Sequence, residues 1–170
     1  MSQETIRNNI IKIRSRLTAK AVENARDDIA IKILQHPVFK TSNKIGFYYS
    51  QKNEVDPSLA IQNALTQKKQ CYLPAIQAHR QLLFAKITTS TPLKPNKHGI
   101  MEPDYDIDNL SPPEYLDLVI VPTIAIDKNK NRIGSGSGYY DCSFSFKKDR
   151  KIKSPYLLAI VYEFQVVPKY

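Results

Sequence analysis

One stretch of the chain is dense in groups that handle phosphate: Arg132-Ile133-Gly134-Ser135-Gly136-Ser137-Gly138-Tyr139-Tyr140-Asp141. Glycine at every second position lets the backbone adopt positive φ and approach a ligand closely. Ser135 and Ser137 add hydroxyl donors, and Arg132 adds a planar fork of charged N–H groups at the loop entrance. A helix leaving the loop near Gly138 would aim its free N–H groups at a phosphate. Asp141, just past the loop, could hold a Mg²⁺ that bridges phosphate oxygens. The order is neither a Walker A loop, which needs Gly-Lys-Ser/Thr, nor a Gly-x-Gly-x-x-Gly dinucleotide fingerprint. Taken singly, the same residues also fit a surface turn, with Tyr139 or Tyr140 as a core aromatic and Asp141 paired with a cation.

No other cluster competes. Cys71 and Cys142 form no Cys-x-x-Cys pair, and His36, His79 and His98 are scattered, so no zinc-ligand spacing exists. Two unpaired cysteines suggest a reducing, cytoplasmic compartment. Lys and Arg number 25 against 16 Asp and Glu, a net charge of +9. The positive charge is concentrated in Arg7 to Lys20, in Lys128, Lys130 and Arg132, and in Lys147 to Lys153. Such clusters attract polyanions. The expected role of most of them is nonetheless a solvated face, because no nucleic-acid motif accompanies them and the aromatics are not interleaved with basic residues as stacking platforms.

The elements around the loop read as alternating helices and strands. Ile6, Ile10, Ile13 and Leu17 form one helical stripe; Thr18 is placed to cap a second helix, with Val22, Ala25, Ile29 and Ile33 on its apolar face, ending at His36-Pro37. Strands are expected at 44–49, 71–74, 82–87 and 157–161, and the continuous apolar run Leu118 to Val121 reads as a central strand covered on both faces. Asp56-Pro57 starts a helix. Residues 88–113, rich in Pro, Asn and Asp, read as a long loop, and 139–148 as a helix. With 170 residues, 42% hydrophobic and 24% charged, the chain suits a single α/β domain of three layers, α/β/α, with a mostly parallel sheet. No apolar run approaches a membrane span and the N-terminus has no signal-peptide pattern.

The segment Asp117-Leu118-Val119-Ile120-Val121-Pro122, then Asp127 and Arg132 to Asp141, resembles the signature of the 5-formyltetrahydrofolate cyclo-ligase (5,10-methenyltetrahydrofolate synthetase) family. Arg7 on its basic helix, Tyr49-Ser50 with Glu54-Val55-Asp56, Tyr72-Leu73-Pro74 and Gly99-Ile100-Met101-Glu102-Pro103 fit the same family in order. The resemblance implies a fold similar to sugar-phosphate isomerases and CoA transferases, and ATP- and Mg²⁺-dependent cyclisation of 5-formyltetrahydrofolate by a monomer. It implies that Arg7 and Arg132, Ile133, Gly134, Ser135, Gly136, Ser137, Gly138, Tyr139 and Tyr140 bind ATP. Tyr49 and Glu54, with Ser135 to Tyr139, would bind the folate, Asp141 the metal, and Arg132 and Tyr139 would act on the reacting groups. Without the resemblance, Glu54 reads as a solvated turn residue and Asp127 as a turn former.

The chain departs from the family pattern at several positions. Gln3 stands where members commonly carry Lys, Ser135 and Ser137 where some carry Arg or Lys, and Pro122-Thr123 replaces Pro-Gly. The sequence stops at Tyr170, where members usually continue into a segment with a second metal-site Asp. These departures leave open a relative that binds folate or nucleotide without turnover.

Overall fold

A computed structural model describes residues 2–149 and 151–169. Helix α1 (Gln3–Arg14) is capped by the Ser2 hydroxyl, which accepts from the Thr5 N–H, and α2 (Ala19–Gln35) is capped in the same way by Thr18. His36 ends α2, and α3 (Pro37–Thr41) begins on the proline. Strand β1 (Lys44–Gly46), α4 (Ser58–Thr66) and β2 (Gln70–Ile76) make a strand–helix–strand unit with parallel pairing. β3 (Leu82–Ile87) then folds back antiparallel on β2. Further on come β4 (Leu93–Pro95), β5 (Met101–Pro103), β6 (Leu110–Ser111), β7 (Leu118–Val121), β8 (Ala125–Asp127) and β9 (Arg132–Ile133). The chain closes with α5 (Tyr139–Ser143), β10 (Tyr156–Ala159) and β11 (Val166–Val167).

The main sheet has six strands in the order β10-β7-β1-β2-β3-β6. The three pairings among β10, β7, β1 and β2 are parallel, and the two that add β3 and β6 are antiparallel. Alternation along β7 sorts its side chains. Leu118 and Ile120 join Ala30, Ile33, Phe39, Ala60 and Ala64 from α2, α3 and α4 on one face. Val119 and Val121 join Tyr72, Phe84 and Phe144 on the other. A Cβ on Gly46 would crowd this second face, 2.9 Å from Leu116 Cδ1 and 3.1 Å from Phe84. A separate three-stranded sheet, β11-β8-β9, carries α1, whose Ile6 and Ile10 pack on Ile124, Ala125 and Ile133.

Four sequence expectations need correction. On α1 the stripe turns at its end: Ile13 is exposed and Arg14 is buried, 4% accessible. The last turn of the helix meets the backbone carbonyls of Gln51 and Lys52, which an arginine can satisfy and an isoleucine cannot. The first strand covers only Lys44–Gly46. Residues 88–113 are not a bare loop, because β4 and β5 pair as a hairpin and β6 joins the main sheet. Their three- and two-residue lengths and flanking prolines hide any alternation. Finally, the helix after the glycine loop is a single turn, α5, followed by 3₁₀ turns at 145–148. The Ser143 hydroxyl oxygen accepts the Leu82 N–H at 2.7 Å, while Phe144 turns into the core.

Candidate active site

The parallel strands end where chemistry can be assembled. Tyr48 to Glu54 follow β1, and Pro122 to Ile124 follow β7, which places both segments at the carboxyl edge of the sheet, the usual ligand side of such folds. Two adjoining cavities lie there. The first cavity is lined by Tyr48, Tyr49, Glu54, Glu102, Thr123 and Ile124 among others. The second is lined by Gln3, Arg7 and the whole run from Arg132 to Asp141. Arg132, Ser135, Ser137, Tyr139 and Tyr140 line both. The glycine loop is thus the partition between the two spaces.

The loop's conformation explains its composition. Gly136 has φ of 100° and Gly138 of 77°, values that residues with a side chain adopt only with strain. Arg7 reaches across from α1, its Nε donating to the Gly134 carbonyl at 3.0 Å. The Ser135 and Ser137 hydroxyls lie 3.1 Å apart at the exposed tip. Arg132 donates through Nη1 to the Pro122 carbonyl and through Nη2 to Asp141. Its guanidinium also sits 5.8 Å from the Tyr140 ring centre. Ile133, expected in the ATP loop, turns its side chain into the small core, so only its backbone is available there.

The folate-side expectations come together differently. Glu54 reaches the first cavity from a turn in which Lys52 and Asn53 both have positive φ, 44° and 59°. Its carboxylate accepts the Gln51 N–H at 3.1 Å and lies 3.7 Å from Arg14 Nη2. Burial raises its pKa above the ordinary carboxylate range, against the opposing pull of the Gln51 N–H and Arg14. Tyr49, on the same rim, is exposed. Tyr140 is an aromatic of the core, stacked on Phe144, and burial pushes its phenol well above the usual value. Its hydroxyl has no partner among the described residues.

Asp141 is 74% exposed at the lip of the second cavity, paired with the Arg132 that the sequence placed beside it. Among the described residues, no group of three His, Cys, Asp or Glu side chains is arranged around a metal. A single exposed carboxylate beside a glycine loop would fit Mg²⁺ if that loop held phosphate, since the ion keeps several waters and takes one or two carboxylates plus phosphate oxygens. Asp127 is the turn former expected of it, accepting from Asn129 N, Asn131 N and Asn131 Nδ2.

Several lining residues carried no mechanistic signal in the sequence. Thr123 and Ile124 are held by the buried Gln165, and Ile100 and Met101 belong to the β4–β5 hairpin. That hairpin is tied to β2 by Glu102, whose Oε1 accepts from Ile76 N at 2.9 Å and Asn96 Nδ2 at 2.8 Å. Arg80 lies 3.7 Å from where a Cβ on Gly138 would stand. Of the basic clusters, Lys147 is occupied with the carbonyls of Ile152 and Lys153, while Arg150 lies outside the described residues. Arg14 is buried, and Arg7 and Arg132 are half-buried.

The family model of the 5-formyltetrahydrofolate cyclo-ligase family matches residues 1–170. The chain belongs to this family. Among its cyclo-ligase relatives, a 5-formyltetrahydrofolate cyclo-ligase of Haemophilus influenzae is 34% identical over 141 residues, 82% of this chain and 75% of that protein. A mouse cyclo-ligase is 28% identical over 168 residues, 93% of this chain and 82% of its own. The solved structure of an Aquifex aeolicus 5,10-methenyltetrahydrofolate synthetase superposes on the whole chain and 82% of its own, with a TM-score of 0.82 and 25% identity. A Mycoplasma pneumoniae synthetase, 18% identical with a TM-score of 0.74, shares the fold across the whole chain and 91% of its own. The mixed α/β architecture with a mostly parallel central sheet is that of these cyclo-ligase structures. No helix of the described residues is long and apolar enough to cross a membrane.

Proposed function

We propose that this chain converts 5-formyltetrahydrofolate to 5,10-methenyltetrahydrofolate at the expense of ATP, releasing ADP and phosphate. The observation that carries the proposal is the shared wall: one loop lines both of two adjoining cavities. The formyl group on N5 is an amide, a poor electrophile whose oxygen leaves badly. Attack of that oxygen on the γ-phosphorus forms an O–P bond and expels ADP. N10 then adds to the activated carbon and gives up its proton to water, and departure of phosphate with its oxygen leaves the cyclic cation. Both reacting groups must meet across the loop, and the chain's work is positioning and charge neutralisation.

Arg7 and the loop from Arg132 to Tyr140 take the ATP phosphates. Arg132 and Tyr139, on both walls, face the transferring group. Tyr49, Glu54 and the loop residues Ser135 to Tyr139 take the folate, with the Glu54 carboxylate accepting two adjacent N–H donors of the pterin. Asp141 would hold Mg²⁺ against the phosphates, where the ion offsets their charge. Both cavities are built by one chain, which suits a monomer acting on small molecules rather than nucleic acid. The free cysteines suit a cytoplasmic setting. The helices on either face of the sheet suit a single three-layer cyclo-ligase-like domain akin to sugar-phosphate isomerases and CoA transferases.

The test is turnover of 5-formyltetrahydrofolate by the purified chain with ATP and Mg²⁺, followed by absorbance of the methenyl product. ATP-dependent product, lost in Asp141→Ala, is expected. Binding of folate and nucleotide without product from a folded chain would replace this reading with that of a non-catalytic relative.

A further inference from the structure

We propose that Arg14 is a positioning residue for the folate: from behind the cavity wall it fixes the turn that presents Glu54. This inference rests on the assignment of Glu54 to the pterin. Arg14 does not line either cavity, yet it grips the 51–54 turn from both ends of its own structure. Its Nη2 donates to the Lys52 carbonyl at 3.0 Å and the Gln51 carbonyl at 3.3 Å. Its backbone carbonyl accepts from Asn53 Nδ2 at 2.9 Å. The Glu54 carboxylate is 3.7 Å from the same Nη2.

The turn needs such a clasp. Two consecutive non-glycine residues, Lys52 and Asn53, sit in the left-handed region, a conformation that persists only where surroundings over-determine it. The Arg14 side chain is almost wholly buried, and its Nε and Nη1 have no partner among the described residues. Buried, unpaired donors oppose folding, so stability alone does not explain an arginine here. What it supplies is a fixed cation behind a carboxylate that burial would otherwise tend to protonate.

Arg14 stands seven residues, two helical turns, beyond Arg7 on α1. Arg7 holds the Gly134 carbonyl of the phosphate loop. One helix, docked through Ile6 and Ile10, therefore ties the nucleotide side at one end and the folate side at the other. Arg14 acts only on the second.

The groups facing Glu54 are Arg14 from α1, Tyr48 from the segment after β1 and Tyr140 from α5, with Arg132 and Glu102 on the same cavity. Arg14 is the cation nearest the carboxylate. Its removal raises the Glu54 pKa further, so the acid limb of folate kcat/KM moves to higher pH.

Kinetics and thermal melts of wild type, Arg14→Met, Arg14→Lys and Asn53→Ala, with folate and ATP varied separately, test the inference. Arg14→Met should raise the folate KM about tenfold, keep the ATP KM within about twofold, and shift the acid limb upward. Arg14→Lys should restore the limb. A folded Arg14→Met with wild-type folate KM and limb, or with both KM values raised alike, overturns the proposal. If Arg14→Met does not fold, Asn53→Ala decides, since it loosens the clasp and keeps the charge. A rise of about threefold in folate KM alone supports the proposal and no rise overturns it. If wild type gives no product, the functional reading fails by itself. The effect of Arg14→Met on folate affinity, measured by calorimetry, then still decides the positioning role.

Discussion

Replacing Gln165 by leucine keeps the side chain's bulk and removes three hydrogen bonds at once. Gln165 is 1% exposed. Its Nε2 donates to the Thr123 and Ile124 carbonyls, each at 2.8 Å, and its Oε1 accepts the Tyr162 N–H at 2.8 Å. Each bond contributes about 1 kcal/mol net, and each buried group left without a partner costs about 1–3 kcal/mol, so the loss should be about 3–5 kcal/mol. With an unfolding entropy of roughly 2.1 cal/mol/K per residue, a chain of this length should lose about 8–14 °C in Tm. Thermal and urea unfolding followed by circular dichroism would measure it. Because Thr123 and Ile124 line the cavity proposed for the folate, the folate KM should rise as well, by about threefold or more. Gln165→Glu sharpens the test. A carboxylate facing two carbonyls should be as damaging at neutral pH, and stability should recover as pH falls and the acid, regaining a proton, donates again. A Tm loss under about 3 °C in Gln165→Leu would refute the argument, since it would mean that these buried groups find other partners.

Other outcomes follow from the same geometry. Because burial raises the Glu54 pKa above its unfolded value, the group favours folding at pH below the unfolded pKa and loses that contribution as pH rises through the folded one. Glu54→Gln, which mimics the protonated form, should therefore hold or raise Tm at neutral pH while weakening folate affinity by about tenfold or more, read by melts and folate titration. Gly138→Ala places a Cβ no closer than 3.7 Å to Arg80, so its cost is the positive φ alone, about 1–2 kcal/mol and a Tm fall of about 3–6 °C. A much larger fall would show crowding instead. Arg132→Met breaks a bridge to an exposed carboxylate, worth little to stability. It should leave Tm within about 3 °C of wild type yet raise the ATP KM about tenfold or more in initial-rate assays.

Much of the glycine loop was legible in one dimension because its composition is local. Arg132, the alternating glycines and serines, the paired tyrosines and Asp141 lie within ten residues, and a loop that wraps phosphate needs its groups consecutive. Glycine in that loop reports on φ, a property of the residue itself, and Gly136 and Gly138 adopt the positive values their identity allows. The helix cap Thr18 and the buried run of β7 were legible for the same reason: near neighbours set them.

Position decided the rest. Ile13 and Arg14 are adjacent on an amphipathic helix, and hydropathy assigns the isoleucine to the interior. The fold buries the arginine, because what meets that turn of α1 is a row of carbonyls and a carboxylate 37 to 40 residues along the chain. Glu54 alone reads as a solvated turn residue; the fold sets Arg14 behind it and a cavity before it. Glu102 and Gln165 carry ordinary polar side chains, and their roles appear only when β2, β5 and the segment after β7 are brought beside them. Residue type specifies which hydrogen bonds a side chain can make. Tertiary contact decides which partners are within 3 Å and whether water can compete for them, and that determines which polar residues hold the site together.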